Sequence, residues 1–165
     1  MLRKESWKVL EDLYEEGQIK AIGVSNYTID HLKELLEECK IKPHVNQVEI
    51  HPHYQQRELV KFCQNENIHL TAYSSLGTTV KEGPNPLLTD PIVKELSQKK
   101  GLSAAQILLM WALQKGYSVL PKSTKPDHIA ENIELEKEVL DVEDMKILDS
   151  LEQNCKYAWN AESVL

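Results

Sequence analysis

The feature that most constrains this chain is an alternation. Short apolar runs of strand length recur between segments whose apolar residues fall three or four positions apart. The runs are Ala21 to Val24, Val45 to Ile50, His69 to Tyr73 and Ser118 to Leu120. Trp7, Leu10, Leu13 and Tyr14, then Leu32, Leu35, Leu36 and Cys39, then Leu59, Val60 and Cys63 carry the helical spacing. Strands and helices taken in turn, with short connections, predict parallel strands joined by crossover helices.

Local signals mark where the helices begin and end. Gly17 is a glycine stop, and Thr28 is placed to cap the second helix. After the loop Gly83-Pro84-Asn85-Pro86, Asp90-Pro91 offers a cap followed by proline at the first helical position. Ser103-Ala104-Ala105-Gln106 reads as a capping box opening an apolar helix through Trp111, and two last helices follow Pro126 and Asp141. The Glu/Lys runs, Glu11, Asp12, Glu15 and Glu16 in the first helix and Glu134 to Glu138 later, are read as solvated faces.

At 165 residues the chain has room for one domain with a real core, and its even composition shows no linker, so residues 1–165 are taken as a single domain. A net charge of -7 argues against nucleic acid or an anionic membrane as partner. It leaves room for a phosphate-bearing cofactor, which needs only local positive charge. Cys39, Cys63 and Cys155 lack CxxC spacing and are odd in number, which favours reduced thiols. No apolar run approaches the ~18 residues of a membrane span. The N-terminus carries no secretory pattern, so a cytoplasmic location is expected.

Parallel strands buried on both faces should read as continuous apolar runs. Asn46, Gln47, Glu49 and Thr71 interrupt them. In a barrel, polar residues near strand ends point to the carboxyl-end face, where such folds place their chemistry. A four-stranded open sheet fits the same pattern, which does not separate the two. The polar clusters at strand ends are Ser25-Asn26, Gln47 with Glu49, His51 and His53, Tyr73-Ser74-Ser75, and Lys122-Ser123-Thr124. Serine and asparagine after a strand are also common turn residues. His51 and His53 have no third ligand at suitable spacing and are not taken as a metal site. Lys122-Ser123-Thr124 before Pro126 sets a cation and hydroxyls just ahead of a helix start, a setting suited to phosphate.

Taken together, these stretches resemble the aldo-keto reductases. The matching residues are Leu13-Tyr14-Glu15-Glu16-Gly17, Ile22-Gly23-Val24-Ser25-Asn26, and Val45-Asn46-Gln47-Val48-Glu49-Ile50-His51-Pro52. Ala72-Tyr73-Ser74-Ser75-Leu76-Gly77, Leu120-Pro121-Lys122-Ser123 and Ile129-Ala130-Glu131-Asn132 follow in order, up to Tyr157-Ala158-Trp159. Each match alone is weak, but the ordered set is specific.

The resemblance implies the fold class: α/β, the second half of a (β/α)8 TIM barrel, with four parallel strands and their helices. It also implies a parent function, the NADPH-dependent reduction of a small-molecule aldehyde or ketone to an alcohol. By position, Ser25, Asn26 and Gln47 would hydrogen-bond the nicotinamide carboxamide, and Tyr73 would stack on the nicotinamide ring. Ser74 and Leu76 would line the pyrophosphate channel. Lys122 and Ser123 would hold the 2′-phosphate of NADP(H), with Glu131 and Asn132 at the adenine. His128 stands where many members carry an arginine, so NAD(H) stays open as the cofactor.

The family's catalytic Asp, Tyr, Lys and His lie in its amino-terminal half, whereas the resemblance here begins at the helix before the fifth strand. Tyr27, Tyr54 and Tyr73 occupy other family positions, so no catalytic residue is assigned. The expected reading is a truncated fragment that keeps the cofactor residues without chemistry of its own. Two alternatives stay open: a non-catalytic nucleotide-binding or interaction module, and a half-enzyme active only by complementation. In a half-barrel the strands around Ile22 and Val119 would be left as edges, so self-association is expected.

Overall fold

The computed structural model describes residues 2–77, 83–135 and 140–158. Its elements are α1 (Leu2–Glu15), β1 (Gly23–Ser25), α2 (Ile29–Glu38), β2 (Val45–Glu49), α3 (Arg57–Asn65) and β3 (His69–Tyr73), then α4 (Pro91–Lys100), α5 (Ala104–Gln114), β4 (Ser118–Val119), α6 (Pro126–Ile133) and α7 (Val142–Asp149). The strands make one sheet in the order β1-β2-β3-β4. β1 runs parallel to β2, with Gly23 opposite Val45, Val24 opposite Asn46 and Ser25 opposite Gln47. Strand order follows chain order with helices between strands, which is the α/β arrangement the alternation predicts.

The ends form where the sequence signals fall. Thr28 caps α2 in a capping box with His31, and Ser103 caps α5 in one with Gln106. Asp90 caps α4 ahead of Pro91, and Gly101 closes it in the left-handed conformation. Just before β1, the Ile22 carbonyl accepts the His44 N–H at 2.8 Å, while the Ile22 N–H donates to the His44 ring Nδ1 at 3.1 Å. Gly23 is required there: a Cβ on it would lie 2.7 Å from the Val45 carbonyl oxygen.

The chain packs as two compact units. One comprises residues 2–48 and 57–71, the other 49–56 and the described residues from 72 to 158. Trp7, Ile22, Leu32, Leu59, Cys63 and Leu70 are buried in the first. In the second, α5 is apolar nearly all round, and every residue from Ile107 to Ala112 is buried. α4 and α7 are pinned by Asp144, fully buried, which takes Lys99 at 2.9 Å and Lys100 at 2.6 Å. Burial pushes its carboxyl up, but the hydrogen bonds from Lys100 and Lys99 outweigh this and hold it well below the usual carboxylate range.

The structure corrects one reading of the first helix. Glu11 is not on a solvated face; it is only 6% exposed. Its Oε1 accepts the Lys40 N–H at 2.7 Å, the Ile41 N–H at 2.9 Å and the Trp7 indole N–H at 3.1 Å. Spacing puts Glu11 beside Trp7 on α1, one turn along. The carboxylate is buried because it takes up main-chain donors just past the end of α2 that would otherwise lack partners. In the later acidic run Glu134 is exposed, and residues 136–139 lie outside the described residues.

Candidate functional site

In the first unit, the register of β1 against β2 brings Ser25, Asn26 and Gln47 together. Ser25 Oγ donates to the Gln47 carbonyl at 3.0 Å, and the Asn26 N–H donates to the same oxygen at 2.9 Å. Asn26 turns the chain with φ +58, a conformation asparagine tolerates better than most residues. Its side-chain Nδ2 lies 3.3 Å from Ser25 Oγ. The half-buried Gln47 side-chain amide has no hydrogen-bond partner among the described residues. This leaves a primary amide ready to exchange two hydrogen bonds with another amide.

Asn46 and Thr71, which also break the apolar runs, are buried. Asn46 Nδ2 donates to the Tyr27 carbonyl at 3.0 Å, and its Oδ1 faces the Tyr27 N–H at 3.4 Å. It serves the chain itself. Cys63 is pushed up to about 11 by burial, despite a hydrogen bond with Asn46 that pulls the other way.

In the second unit, a cavity of about 630 Å³ gathers Ser74, Leu76, Lys122, Ser123, His128, Glu131 and Asn132. This volume falls in the range of small-molecule sites. Tyr73, the half-buried last residue of β3, directly precedes it in the chain. The wall after β3 is a tight turn: Ser74 has φ +51, and the Gly77 N–H donates to the Ser74 carbonyl at 2.7 Å. Gly77 has φ +74, and a Cβ there would lie 2.9 Å from Asn85 Oδ1, so only glycine fits. Asn85 braces this wall, donating to the Leu76 carbonyl at 2.8 Å and accepting the N–H groups of Leu87 and Leu88.

The entry to α6 also lines the cavity. Ser123 Oγ accepts the Lys125 N–H at 3.1 Å, and no side chain caps the helix. The N–H groups of its first turn therefore lack a capping acceptor, a setting that favours an anion. Neither Lys122 nor Lys125 forms an ion pair among the described residues. Gln106, which closes the capping box of α5, also donates to the Glu131 and Glu134 carbonyls and so holds the far end of α6.

A third polar group, read in the sequence only as strand-end residues, lies where β2 ends. Glu49 and His51 are fully buried, and His53 nearly so. His51 Nε2 meets Glu49 Oε1 at 3.1 Å, while His53 Nε2 meets Asp90 Oδ2 at 3.1 Å. Both histidines are thus committed to carboxylates, and among the described residues no three His, Cys, Asp or Glu side chains are placed to hold a metal ion. Asp90 was legible as a cap, but its second oxygen's bond to His53 had no sequence signal. The roles of Gly77 and Asn85 were equally hidden, since a Gly/Pro-rich stretch announces a loop and not its internal bonds.

The sequence model described as the Aldo/keto reductase family matches residues 3–153. The glyoxal reductase of Bacillus subtilis is 40% identical over 162 residues, covering 98% of this chain and 56% of that protein. The glycerol 2-dehydrogenase (NADP(+)) of Hypocrea jecorina is 47% identical over 132 residues, covering 79% of this chain and 42% of that protein. The crystal structure of MGS-M4, an aldo-keto reductase from a deep-sea metagenome library, superposes with a TM-score of 0.89 at 36% identity, covering 96% of this chain and 57% of that one. The chain thus spans about half the length of the curated relatives it matches. With this neighbour, the strand–helix repeat is that of a partial barrel and not a free-standing open sheet. None of the helices among the described residues is long and apolar enough to cross a membrane.

Proposed function

The chain belongs to the aldo/keto reductase family, and we propose that its residues supply the nucleotide-binding part of an NADP(H)-dependent reduction of a small aldehyde or ketone to an alcohol. The observation that carries this reading is Lys122. In a chain of net charge -7, its ammonium lines a cavity and forms no ion pair among the described residues, next to the uncapped start of α6. An unpaired cation, a hydroxyl at Ser123 and free helix N–H groups are the donor set a phosphate monoester takes. The residues present therefore fit the adenosine 2′-phosphate end of NADP(H), with Glu131 and Asn132 as polar partners for adenine and Ser74 and Leu76 along the pyrophosphate. His128 supplies a weaker cation than arginine, so Lys122 and Lys125 carry the preference for NADP(H) over NAD(H).

Ser25, Asn26 and Gln47 are proposed to bind the nicotinamide carboxamide, an assignment supported by the open Gln47 amide. Tyr73 is proposed to stack on the nicotinamide ring. When bound, the dinucleotide supplies the reducing equivalents. Within the 165 residues we assign no proton donor. Tyr27 packs edge-on against His31, and Tyr54 lies under the Lys156 ammonium. We further propose a cytoplasmic protein, in keeping with three free cysteines. Self-association through β1 and β4, the ends of the strand order, is also proposed.

Titration of the 165-residue polypeptide with NADPH and NADH tests the cofactor reading. Tighter binding of NADPH is expected, and equal affinity for both would remove the 2′-phosphate assignment. An NADPH-consumption assay with simple aldehydes should show no turnover from this polypeptide, because a missing general acid alone costs about 10²–10⁴-fold. Turnover at an ordinary enzymatic rate would show that one of its own residues donates the proton. Size-exclusion with light scattering should give a mass above 18.9 kDa, and a clean monomer would overturn the edge-pairing proposal.

A further inference from the structure

Away from the cavity, the second unit fastens a length of chain to a cluster of buried titratable groups. Glu49 Oε1 accepts the Tyr157 N–H at 2.6 Å and the Ala158 N–H at 3.0 Å, and Oε2 lies 3.1 Å from the same Ala158 nitrogen. The Tyr157 ring stacks on His51, with centroids 4.9 Å apart and planes 25° from parallel. Its hydroxyl meets His53 Nδ1 at 2.7 Å, and the Cys155 N–H donates to the His53 carbonyl at 3.0 Å. Residues 155–157 have no helix or strand of their own. Among the described residues, their attachment draws on one carboxylate, two imidazoles and one carbonyl, with the Tyr54 ring under Lys156.

We propose that residues 155–158 form a strap latched at the end of β2 by Glu49 and His53, and that uptake of a proton by this cluster releases it. The latch uses the unprotonated form of each group. A protonated Glu49 loses the charge that makes its bonds to the two N–H groups strong. A protonated His53 is a buried cation paired with Asp90, and its Nδ1 no longer accepts from the Tyr157 hydroxyl.

The electrostatics agree in sign. Burial holds His53 below the ordinary histidine range, and the Asp90 hydrogen bond, which favours the cation, does not overcome it. For Glu49, burial pushes the carboxyl up, but the bonds from His51, Tyr157 and Ala158 outweigh it and leave the group below the usual carboxylate range. Facing His53 are Asp90 at the start of α4, Tyr157 and Cys155 from the strap, Glu152 just after α7 and His51 from its own segment. Lys156 lies over the Tyr54 ring instead. Both depressed groups favour the latched state above their ordinary values, so the latch weakens as pH falls. His53 acts first, below about pH 6.5, and Glu49 follows only in stronger acid.

Asp90 links the latch to the second unit's loop. One oxygen meets His53, while the other caps α4 at the Ile92 and Val93 N–H groups. The turn that ends at Asp90 contains Asn85 and Leu88, two residues of the cavity wall. The proposal does not rest on the cofactor reading, since none of the latch residues lines the cavity.

Hydrogen exchange at the Tyr157 and Ala158 amides of the 165-residue chain, between pH 5 and 8, tests it. Once the intrinsic pH dependence of exchange is removed, opening should rise by up to about tenfold per pH unit below about 6.5, while amides of α5 keep their protection. Glu49→Gln should free both strap amides at least tenfold across the whole range, and His53→Asn should flatten the pH dependence. Tyr157→Phe keeps the main-chain bonds to Glu49 and should give intermediate protection, which provides a reading even if Glu49→Gln does not fold. Strap opening that is independent of pH in the natural chain, or a pH dependence that survives His53→Asn, would overturn the proposal.

Discussion

Glu11 on α1 reads in the sequence as part of a solvated face and Lys122 before α6 as part of a phosphate-suited strand-end cluster, and the fold uses the two charges in opposite ways. Glu11 is buried, and its Oε1 gathers two main-chain N–H groups and an indole. Lys122 is exposed on a cavity wall and forms no ion pair among the described residues. A carboxylate withdrawn from water must be repaid with donors, so its neighbours are fixed once the chain folds. An ammonium left in water makes no such demand, and its lack of a partner is what a ligand can use. The difference suggests a way to sort charges here: satisfied and buried ones hold the fold, while exposed ones that line a cavity without forming an ion pair are candidates for binding.

Removing Glu11 should give the largest effect. Glu11→Ala leaves the Lys40 and Ile41 N–H groups unsatisfied, while the Trp7 indole keeps the Ile41 carbonyl at 3.2 Å, at an expected cost of about 3 kcal/mol. For a chain of this length, that lowers the melting temperature by roughly 6–12 °C. A melting curve within a degree or two of the natural chain would show that water replaces the carboxylate at no cost, and the contrast with Lys122 would fail.

Lys122→Ala should leave the melting temperature nearly unchanged and act on binding instead. A charge-assisted hydrogen bond is worth roughly 1.5–3 kcal/mol, so NADP(H) should bind about tenfold to hundredfold more weakly while NAD(H) changes little. Equal weakening of both cofactors in a titration would place the phosphate elsewhere.

A smaller effect is expected from Asp144, a second buried carboxylate. Its carboxyl is held well below the usual range, so the stability it contributes is complete above pH about 4 and is lost as the pH falls further. Melting curves recorded from neutral pH down to pH 3 should fall more steeply for the natural chain than for Asp144→Asn. Parallel curves would mean that the two lysines do not favour its charged form.

The smallest effect is a control for the sorting itself. Asp12 neighbours Glu11 in sequence but is exposed, and Asp12→Ala should shift stability by no more than about 0.5 kcal/mol. A loss comparable to that of Glu11→Ala would mean that position in the sequence matters here and burial does not.

The alternation of apolar runs and helical spacing was enough to order the eleven elements among the described residues, because each period follows from backbone geometry within a few residues. Caps at Thr28, Asp90, Ser103 and Asp141 were legible for the same reason: donor and acceptor are neighbours in the chain. The ordered strand-end motifs also pointed to the family, and residues from Ser74 to Asn132 that they marked do share one cavity.

What the sequence could not decide were the partners of its polar residues across long separations. Glu11 and Asp12 look alike in a helical run, and only the packing of the 40–41 backbone over α1 buries one of them. Glu49 reads as an interruption in a strand until residues 157 and 158 come to it from more than a hundred positions away. Charge and spacing are local properties of a chain. Desolvation is not, because whether a charged group loses its water depends on which distant segment comes to cover it.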